Sequence, residues 1–393
     1  MTPAAGEAER QRLHSTFESL CRIPSPTGDE RGLADWITRE LSVLGLEVEE
    51  DDVGASIGSN AGNLLVRIPG RGPRTIMLCA HMDTVPLTAP VEPVQRDGGW
   101  ENANDGILGA DNKAAVAALL ELARMLRVHG DTRTRPPCSS QPKGPTSPAE
   151  VGVELLFTVA EETGLNGARE FDVSRLSSDF GYVFDHASPV GEIITASPTQ
   201  MRIDAEIRGK AAHAGLQPEL GVNAIVAGAH AIAHMPQGRY DAETTANVGT
   251  IQGGTATNVV ADRCLVSAEV RAVEQAQVDR YVTEAIDAIQ DAADTAGCDL
   301  DLKLQQLFTG YRIGPREASI ALAGRALQRI GYEPSLRTSG GGADANAFRA
   351  NGFPCTNIAN GTERAHERTE RVSFTALEAN LDLMLALIEE AAS

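Results

Sequence analysis

Aromatic residues make up only 4% of this 393-residue chain, so its core must rest on Ala, Val, Leu and Ile. No uninterrupted apolar run approaches the roughly 20 residues that a membrane-spanning helix needs. No membrane partner is expected. Basic charge is also short: 34 Lys and Arg stand against 54 Asp and Glu, for a net charge of -20. That balance argues against a nucleic acid or an anionic membrane as partner, since either would call for basic patches. Paired cysteines are missing too. Cys21, Cys79, Cys138, Cys264, Cys298 and Cys355 form no Cys-x-x-Cys, and we read them as free thiols of a reducing cytoplasm, with Cys79 and Cys355 as buried strand residues. Met1–Arg12 is polar and acidic and lacks the apolar stretch of a secretory signal.

What remains is a globular composition, 42% hydrophobic and 22% charged, long enough for two domains. An amphipathic helix is predicted over Gly32–Gly45, ended by glycine, and a buried strand over Thr75–Ala80. Asn112–Val128 is rich in strong helix formers. His129–Glu150 then dissolves into Pro, Ser, Thr and Gly and reads as a surface insertion. Strands are expected at Val153–Val159, Tyr182–Phe184 and Met201–Arg208. From about Thr199 the order becomes strand, helix (Val222–His234), strands near Asn247–Ile251 and Arg263–Arg271, helix (Gln275–Ala292) and strand (Asp299–Gln305). This βαββαβ order is the ferredoxin-like split unit. The prediction is therefore an α/β fold in which a discontinuous catalytic domain (1–198 and 307–393) carries an inserted ferredoxin-like domain (199–306). A helix at Arg316–Ile330, a Gly-rich turn at Gly340–Gly342, a strand at Cys355–Ile358 and a helix at Ala376–Ala392 complete the first domain.

Acids and histidines follow the apolar strands directly. TIMLCA runs into His81-Met82-Asp83, LLFTVA into Glu161-Glu162, and GYVF into Asp185. CTNIAN leads to a loop with His366, and Asp111 opens the long helix. In open α/β sheets ligands bind at the carboxyl ends of strands, so these segments should meet at one rim. Charges crowded there would repel unless a cation held them. Imidazole with carboxylate suits zinc, or cobalt or manganese, better than calcium. Two histidines and three carboxylates are too many for one four-coordinate ion. Shared between two they divide as His81 with Asp185 and Glu162 with His366, with Asp111 bridging. Two ions roughly 3.5–4 Å apart hold a hydroxide between them.

These residues lie in the pieces HMDTV (81–85), GILGADNKAAVAAL (106–119), FTVAEETGLNGAR (157–169) and FDHASPVG (184–191). GKAAHAG (209–215), GGTATNVVAD (253–262), GGGADAN (340–346) and AHERTE (365–370) continue the series. In this order and over nearly the whole chain, the sequence resembles the superfamily of dinuclear zinc exopeptidases that includes peptidase T and aminoacylase, and most of all its peptidase-T-like branch. The resemblance implies two zinc ions per chain on His81, Asp111, Glu162, Asp185 and His366. It implies that Asp83 orients the His81 imidazole. Glu161 is then the general base that takes a proton from a metal-bridged water, hydrolysing an amide bond in a short peptide as a tripeptide aminopeptidase does. Relatives often have a cis peptide after the bridging aspartate, here Asp111–Asn112, although Asn112 replaces an Asp common among them. The inserted domain is implied to act as a lid that brings His213 to the oxyanion and holds substrate through Asn258 and Arg271, the arginine reaching a carboxylate. Pairing of relatives through this domain implies a homodimer, with His213 serving its own or its partner's site.

The same machinery also fits an N-acyl-amino-acid deacylase or another amidohydrolase of the superfamily. A binding protein that has lost catalysis should show a broken ligand set, and every position here is filled. His230 and His234 lie one helical turn apart, but no Glu follows His230, so they read as a helix-face pair without metal. His186 reads as a neighbour of the site, not a ligand. The triple glycine lacks the Lys-Ser/Thr of a phosphate loop, and no Gly-x-Ser-x-Gly elbow surrounds Ser25 or Ser188.

Overall fold

A computed structural model describes residues 5–130 and 150–393. Most of the insertion read at 129–150, and Cys138 within it, lies outside the described residues. The chain begins with α1 (Glu7–Cys21), α2 (Arg31–Val43), β1 (Val48–Glu50), α3 (Val53–Ile57), β2 (Leu64–Ile68), β3 (Thr75–His81), β4 (Pro93–Arg96) and β5 (Gly99–Asn102). Next come α4 (Ala110–Gly130), β6 (Gly152–Thr158), α5 (Asn166–Glu170), β7 (Phe180–His186) and β8 (Glu192–Ser197). A second series follows: β9 (Thr199–Arg208), α6 (Ala224–His234), β10 (Gly238–Arg239), β11 (Thr244–Gly253), β12 (Arg263–Ala272), α7 (Gln275–Ala296) and β13 (Asp299–Phe308). The last part runs through β14 (Tyr311–Arg312), α8 (Ala318–Arg329), β15 (Ser335–Thr338), α9 (Asp344–Ala350), β16 (Cys355–Ala359), β17 (Thr362–Glu363), β18 (Arg371–Ser373) and α10 (Phe374–Ala391).

Two compact units result. One holds the chain up to Thr195 with Ile313–Arg337 and Ala343–Ser393; the other holds Ala196–Arg312 and Thr338–Gly342. The first unit is built on a sheet ordered β1-β2-β6-β3-β7-β16-β8, with the short β15 beside β8. Its centre is parallel: β3 runs parallel to β6 and β7, and β16 parallel to β7. Successive residues of a strand face opposite sides, so a strand buried at every position is covered on both faces. Every residue of β6 is buried, and every residue of β3 after Thr75. Hence the apolar run TIMLCA, and VELLF in which the one charge, Glu154, is buried against Arg67 and the Ser177 and Ser178 amides. The helices α4 and α10 pack against β3, and α8 and α9 against β7 and β16. Leu78, Leu155 and Leu156 are sealed in this layer, where truncating one leucine to alanine costs about 2–5 kcal/mol.

The second unit has the ferredoxin-like order expected, β11-β12-β9-β13, all antiparallel, with the two-residue β10 beside β11. Here β9 alternates, with Ile203, Ala205 and Ile207 buried and their neighbours more open, because helices cover one face only. The covering stripe of α7 is Val278, Tyr281, Val282, Ala285, Ile289 and Ala293, a helical spacing. Gly297 ends α7 at φ +71, a left-handed conformation that glycine adopts without the Cβ penalty, and the Cys298 N–H closes back on the Ala293 carbonyl.

The sequence reading left out β1, β2, β8, α3 and α5 of the first unit, and three further features. One is α1, whose Leu13, Phe17, Leu20 and Cys21 are buried. Another is a small antiparallel sheet, β17-β18-β5-β4, whose two- to four-residue strands carry too few positions to show a period. The third is the seven-residue α9 behind the triple glycine.

Candidate metal centre

The parallel strands bring their carboxyl ends to one rim of the first unit. His81 is the last residue of β3, Asp185 lies at the end of β7, and Glu161 and Glu162 follow β6 by three and four residues. His366 lies beyond β17, and Asp111 stands at the mouth of α4, where its φ of -82° and ψ of 103° are not yet helical. The Asp111–Asn112 peptide is cis.

Asp111 is the meeting point. Its Oδ1 lies 3.2 Å from His81 Nε2, and its Oδ2 lies 3.4 Å from His366 Nε2. Asp185 Oδ1 is 3.4 Å from the same His81 nitrogen, and Glu162 Oε2 is 3.0 Å from the same His366 nitrogen. Two triads therefore share one carboxylate. His81, Asp111 and Asp185 converge within 4.8 Å, and so do Asp111, Glu162 and His366. Glu161 joins His81 and Glu162 within the same span. His186 enters none of these groups among the described residues.

The charge balance tests whether a cation fits. Among the described residues, no Lys or Arg pairs with Asp111, Glu161, Glu162 or Asp185; their only ionic neighbours are the two histidines. Lys113, in the first turn of α4, is buried but donates to the Ile23 carbonyl at 2.7 Å. Glu162 Oε1 is buried without a hydrogen-bond partner. An orphaned carboxylate oxygen in an acid-rich cluster is costly without a positive neighbour. Mixed imidazole and carboxylate donors of this kind suit a borderline divalent ion.

The pKa shifts run the same way. Burial opposes charge on His81, yet Asp185, Asp111 and Asp83 hold its pKa well above the usual imidazole value. Hydrogen bonds to Asp111 and Glu162 push His366 up to about 10. Burial raises Asp185 to about 8, helped by the charge of Asp111 and opposed by His81. Glu161 is driven well above the ordinary carboxylate range, first by burial and then by Asp185. Asp111 goes the other way: against burial, its bonds to His366 and His81 hold it well below the usual range.

Carboxylates that face the backbone shape the rim. Asp83 is fully buried; its Oδ1 accepts the Glu161 N–H at 3.0 Å and its Oδ2 the Glu162 N–H at 3.2 Å. Thr27 Oγ1 donates to Oδ2 as well, at 2.7 Å. His81 Nδ1 lies 2.9 Å from the Asp83 carbonyl, which leaves Nε2 facing the acids. Ala160, at φ +52, turns the chain between β6 and the acid pair, a conformation costing an alanine about 1–2 kcal/mol. Its N–H is received by the buried Glu30 Oε1 at 3.1 Å. Glu370 Oε2 accepts the N–H groups of Leu108 and Gly109 at 2.8 and 2.7 Å, and its Oε1 that of Asp111 at 2.8 Å. Asp344 takes a short hydrogen bond from Thr158, keeps a buried Oδ1 without partner, and is raised by burial to about 6. Glu30, Glu370 and Asp344 were not singled out in the sequence. Glu370 and Asp344 lie within the quoted pieces AHERTE and GGGADAN, and Glu30 carries no comparable signal.

His213, Asn258 and Arg271 belong to the second unit. His213 is exposed, and its Nδ1 accepts from the N–H groups of Gly215 and Leu216 at 3.1 and 3.2 Å. That fixes the tautomer: the proton sits on Nε2, a donor free for an anionic oxygen. The exposed Asn258 uses its carbonyl to accept the Ala214 N–H. Arg271 forks onto Glu269 at 2.9 and 3.1 Å, so its guanidinium already faces a carboxylate of its own chain. His230 and His234 sit exposed on α6, tied by His234 Nδ1 to the His230 carbonyl, and join no metal-type group among the described residues.

Comparison with known proteins follows the same lines. The peptidase dimerisation domain family, M20_dimer, matches residues 196–296, and peptidase family M28 matches residues 63–193. The chain is 36% identical over 387 residues to the uncharacterized protein YqjE of Bacillus subtilis (strain 168), covering 97% of this chain and 99% of that one. The crystal structure of aminopeptidase PepT from Bacillus cereus ATCC 10987 superposes with a TM-score of 0.83 at 37% identity, covering 98% of this chain and 99% of that one. A tripeptidase from Staphylococcus aureus subsp. aureus Mu50 gives a TM-score of 0.87 at 33% identity, with 98% of each chain covered.

Proposed function

Because the chain belongs to the peptidase-T-like branch of the M20 exopeptidases, we propose that its metal-dependent peptide hydrolysis is that of a tripeptide aminopeptidase with a two-zinc centre. It is a metallopeptidase. The observation that carries this reading is the double posture of Asp111, one oxygen toward His81 and the other toward His366. His81, Asp111 and Asp185 would hold one ion, and Asp111, Glu162 and His366 the other. Bound divalent ions supply Lewis acidity and lower the pKa of water at the site.

The chain's own residues do the rest. Asp83 fixes the His81 ring and, through the Glu161 and Glu162 amides, the aim of both glutamates. The Glu161 carboxylate, its proton affinity raised by burial and neighbouring acids, takes a proton from the attacking water and delivers it to the leaving amine nitrogen. His213 Nε2–H supplies a donor for the oxyanion, and Asn258 and Arg271 hold substrate from the lid. The match of 196–296 to a dimerisation domain supports a homodimer through that unit. No helix among the described residues is long and apolar enough to cross a membrane. The buried free thiols Cys21, Cys79, Cys264, Cys298 and Cys355 support a cytoplasmic home.

The test is a panel of di- and tripeptides beside N-acetyl and N-succinyl amino acids. Protein stripped by chelator is assayed after reconstitution with zinc, cobalt or manganese. Tripeptides with a free amino terminus are expected to give the highest kcat/KM. An N-acyl amino acid cleaved faster than every peptide would overturn the substrate assignment.

A further inference from the structure

The turn that delivers Asp111 has no regular hydrogen bonding of its own. Gly109 is at φ +77, and Asp111 and Asn112 lie outside helical geometry. Leu108 and Ala110 are fully buried, so the N–H groups of this turn have no water to bond. Left unpaired, each would cost about 1–3 kcal/mol. One side chain answers three of them, the Glu370 carboxylate, itself 2% exposed, which reaches the Leu108, Gly109 and Asp111 amides at 2.7–2.8 Å. Glu370 closes the loop that carries His366, and β18 begins at the next residue. That strand is anchored on both sides, to β17 and to β5.

We propose that Glu370 is a positioning residue of the metal centre: it ties the His366 loop to the Asp111 turn and so sets the separation of the two side chains that share an ion. The proposal rests on the two-ion reading above. Glu370 touches neither substrate nor the reacting atoms. It acts through the backbone of Asp111, whose oxygens serve both triads, so loosening it should weaken both ions and most of all the one shared with His366.

The experiment titrates chelator-stripped wild type, E370Q, E370D and V372A with Co(II). It follows the visible d–d absorption and measures kcat and KM on a tripeptide after full loading. Val372 is fully buried in the same strand, so V372A weakens packing there without touching the three amides. Partners that orient metal ligands typically change affinity roughly 10–100-fold when replaced. E370Q, which turns an NH₂ group toward backbone donors, is expected to need that much more Co(II), to show a shifted spectrum, and to lose kcat with KM unchanged. V372A should lower Tm and titrate like wild type. If E370Q does not fold, E370D is read by the same measures: it keeps the charge but is one methylene too short to reach both sets of amides. Either variant titrating like wild type, or V372A shifting as far as E370Q, would refute the proposal. So would both Glu370 variants unfolding while V372A folds. Wild type that develops no Co(II) bands would instead sink the metal centre itself, a result distinct from these.

Discussion

Glu161→Gln should move activity and stability in opposite directions. Glu161 lies among acids, and burial and the charge of Asp185 raise its pKa well above the ordinary value. Between its unfolded and folded pKa, the folded metal-free chain therefore holds more protons than the unfolded chain. Stability must then fall as pH rises through that window. Each unit of such a shift corresponds to about 1.4 kcal/mol, and each kcal/mol moves Tm by about 2–4 °C in a domain of 150–250 residues. The amide cannot ionise, so metal-free E161Q should match wild type near pH 5 and melt higher than wild type at pH 8. On the proposed metal loading, a neighbouring cation would relieve the repulsion, and the gain should vanish. Turnover should fall roughly 10²–10⁴-fold, about 3–5 kcal/mol in the barrier, if Glu161 is the general base proposed above. Metal content should not change. The assays are scanning fluorimetry at the two pH values with and without chelator, metal analysis, and kcat on a tripeptide. E161Q with near-normal kcat would falsify the base assignment; E161Q that melts lower than wild type at pH 8 without metal would refute the electrostatic account.

Metal binding should release protons and weaken in acid, because in the metal-free chain His366 is held up to about 10 and Asp185 to about 8. Calorimetry of zinc binding in buffers of different ionisation enthalpy checks this, and a buffer-independent heat would contradict it. D83A should lower metal affinity roughly 10–100-fold and also reduce kcat, since it removes the carboxylate that faces His81 Nδ1 at 3.4 Å and receives both glutamate amides; an unchanged zinc titration would count against that role. H213A should cost roughly 10²–10³ in kcat with full metal occupancy if His213 Nε2–H meets the oxyanion, and activity within twofold of wild type would remove it from the mechanism.

The sheet's centre was legible because burial on both faces demands apolar residues without interruption. TIMLCA and LLFTVA announce β3 and β6, and the first polar residues after them mark where the strands reach the rim. The second unit was legible for the opposite reason: β9 alternates because only one of its faces is covered, and α7 shows a clean helical stripe. The misses share a cause as well. A strand of two residues, such as β17, has no period to display. Along α1 the apolar contact narrows to Leu13, Phe17, Leu20 and Cys21 within an otherwise charged segment.

The site divides in the same way. His81, Asp111, Glu162, Asp185 and His366 were singled out because acids and histidines recur at strand ends and at the mouth of α4, and the structure brings their side chains together. Glu30, Glu370 and much of Asp83's work were not, because their partners are backbone amides, which every residue possesses and no spacing reveals. Yet the two groups depend on each other. The first gathers carboxylates around His81 and His366, an arrangement that a cation would favour; the second aims carboxylates at N–H groups that irregular turns leave open. Ala160 and Asp111 leave regular geometry at the points where those carboxylates receive them. The irregular backbone that delivers the candidate ligands is thus held by acids outside the two triads. A variant in this second group should therefore impair the centre while leaving every candidate ligand in place.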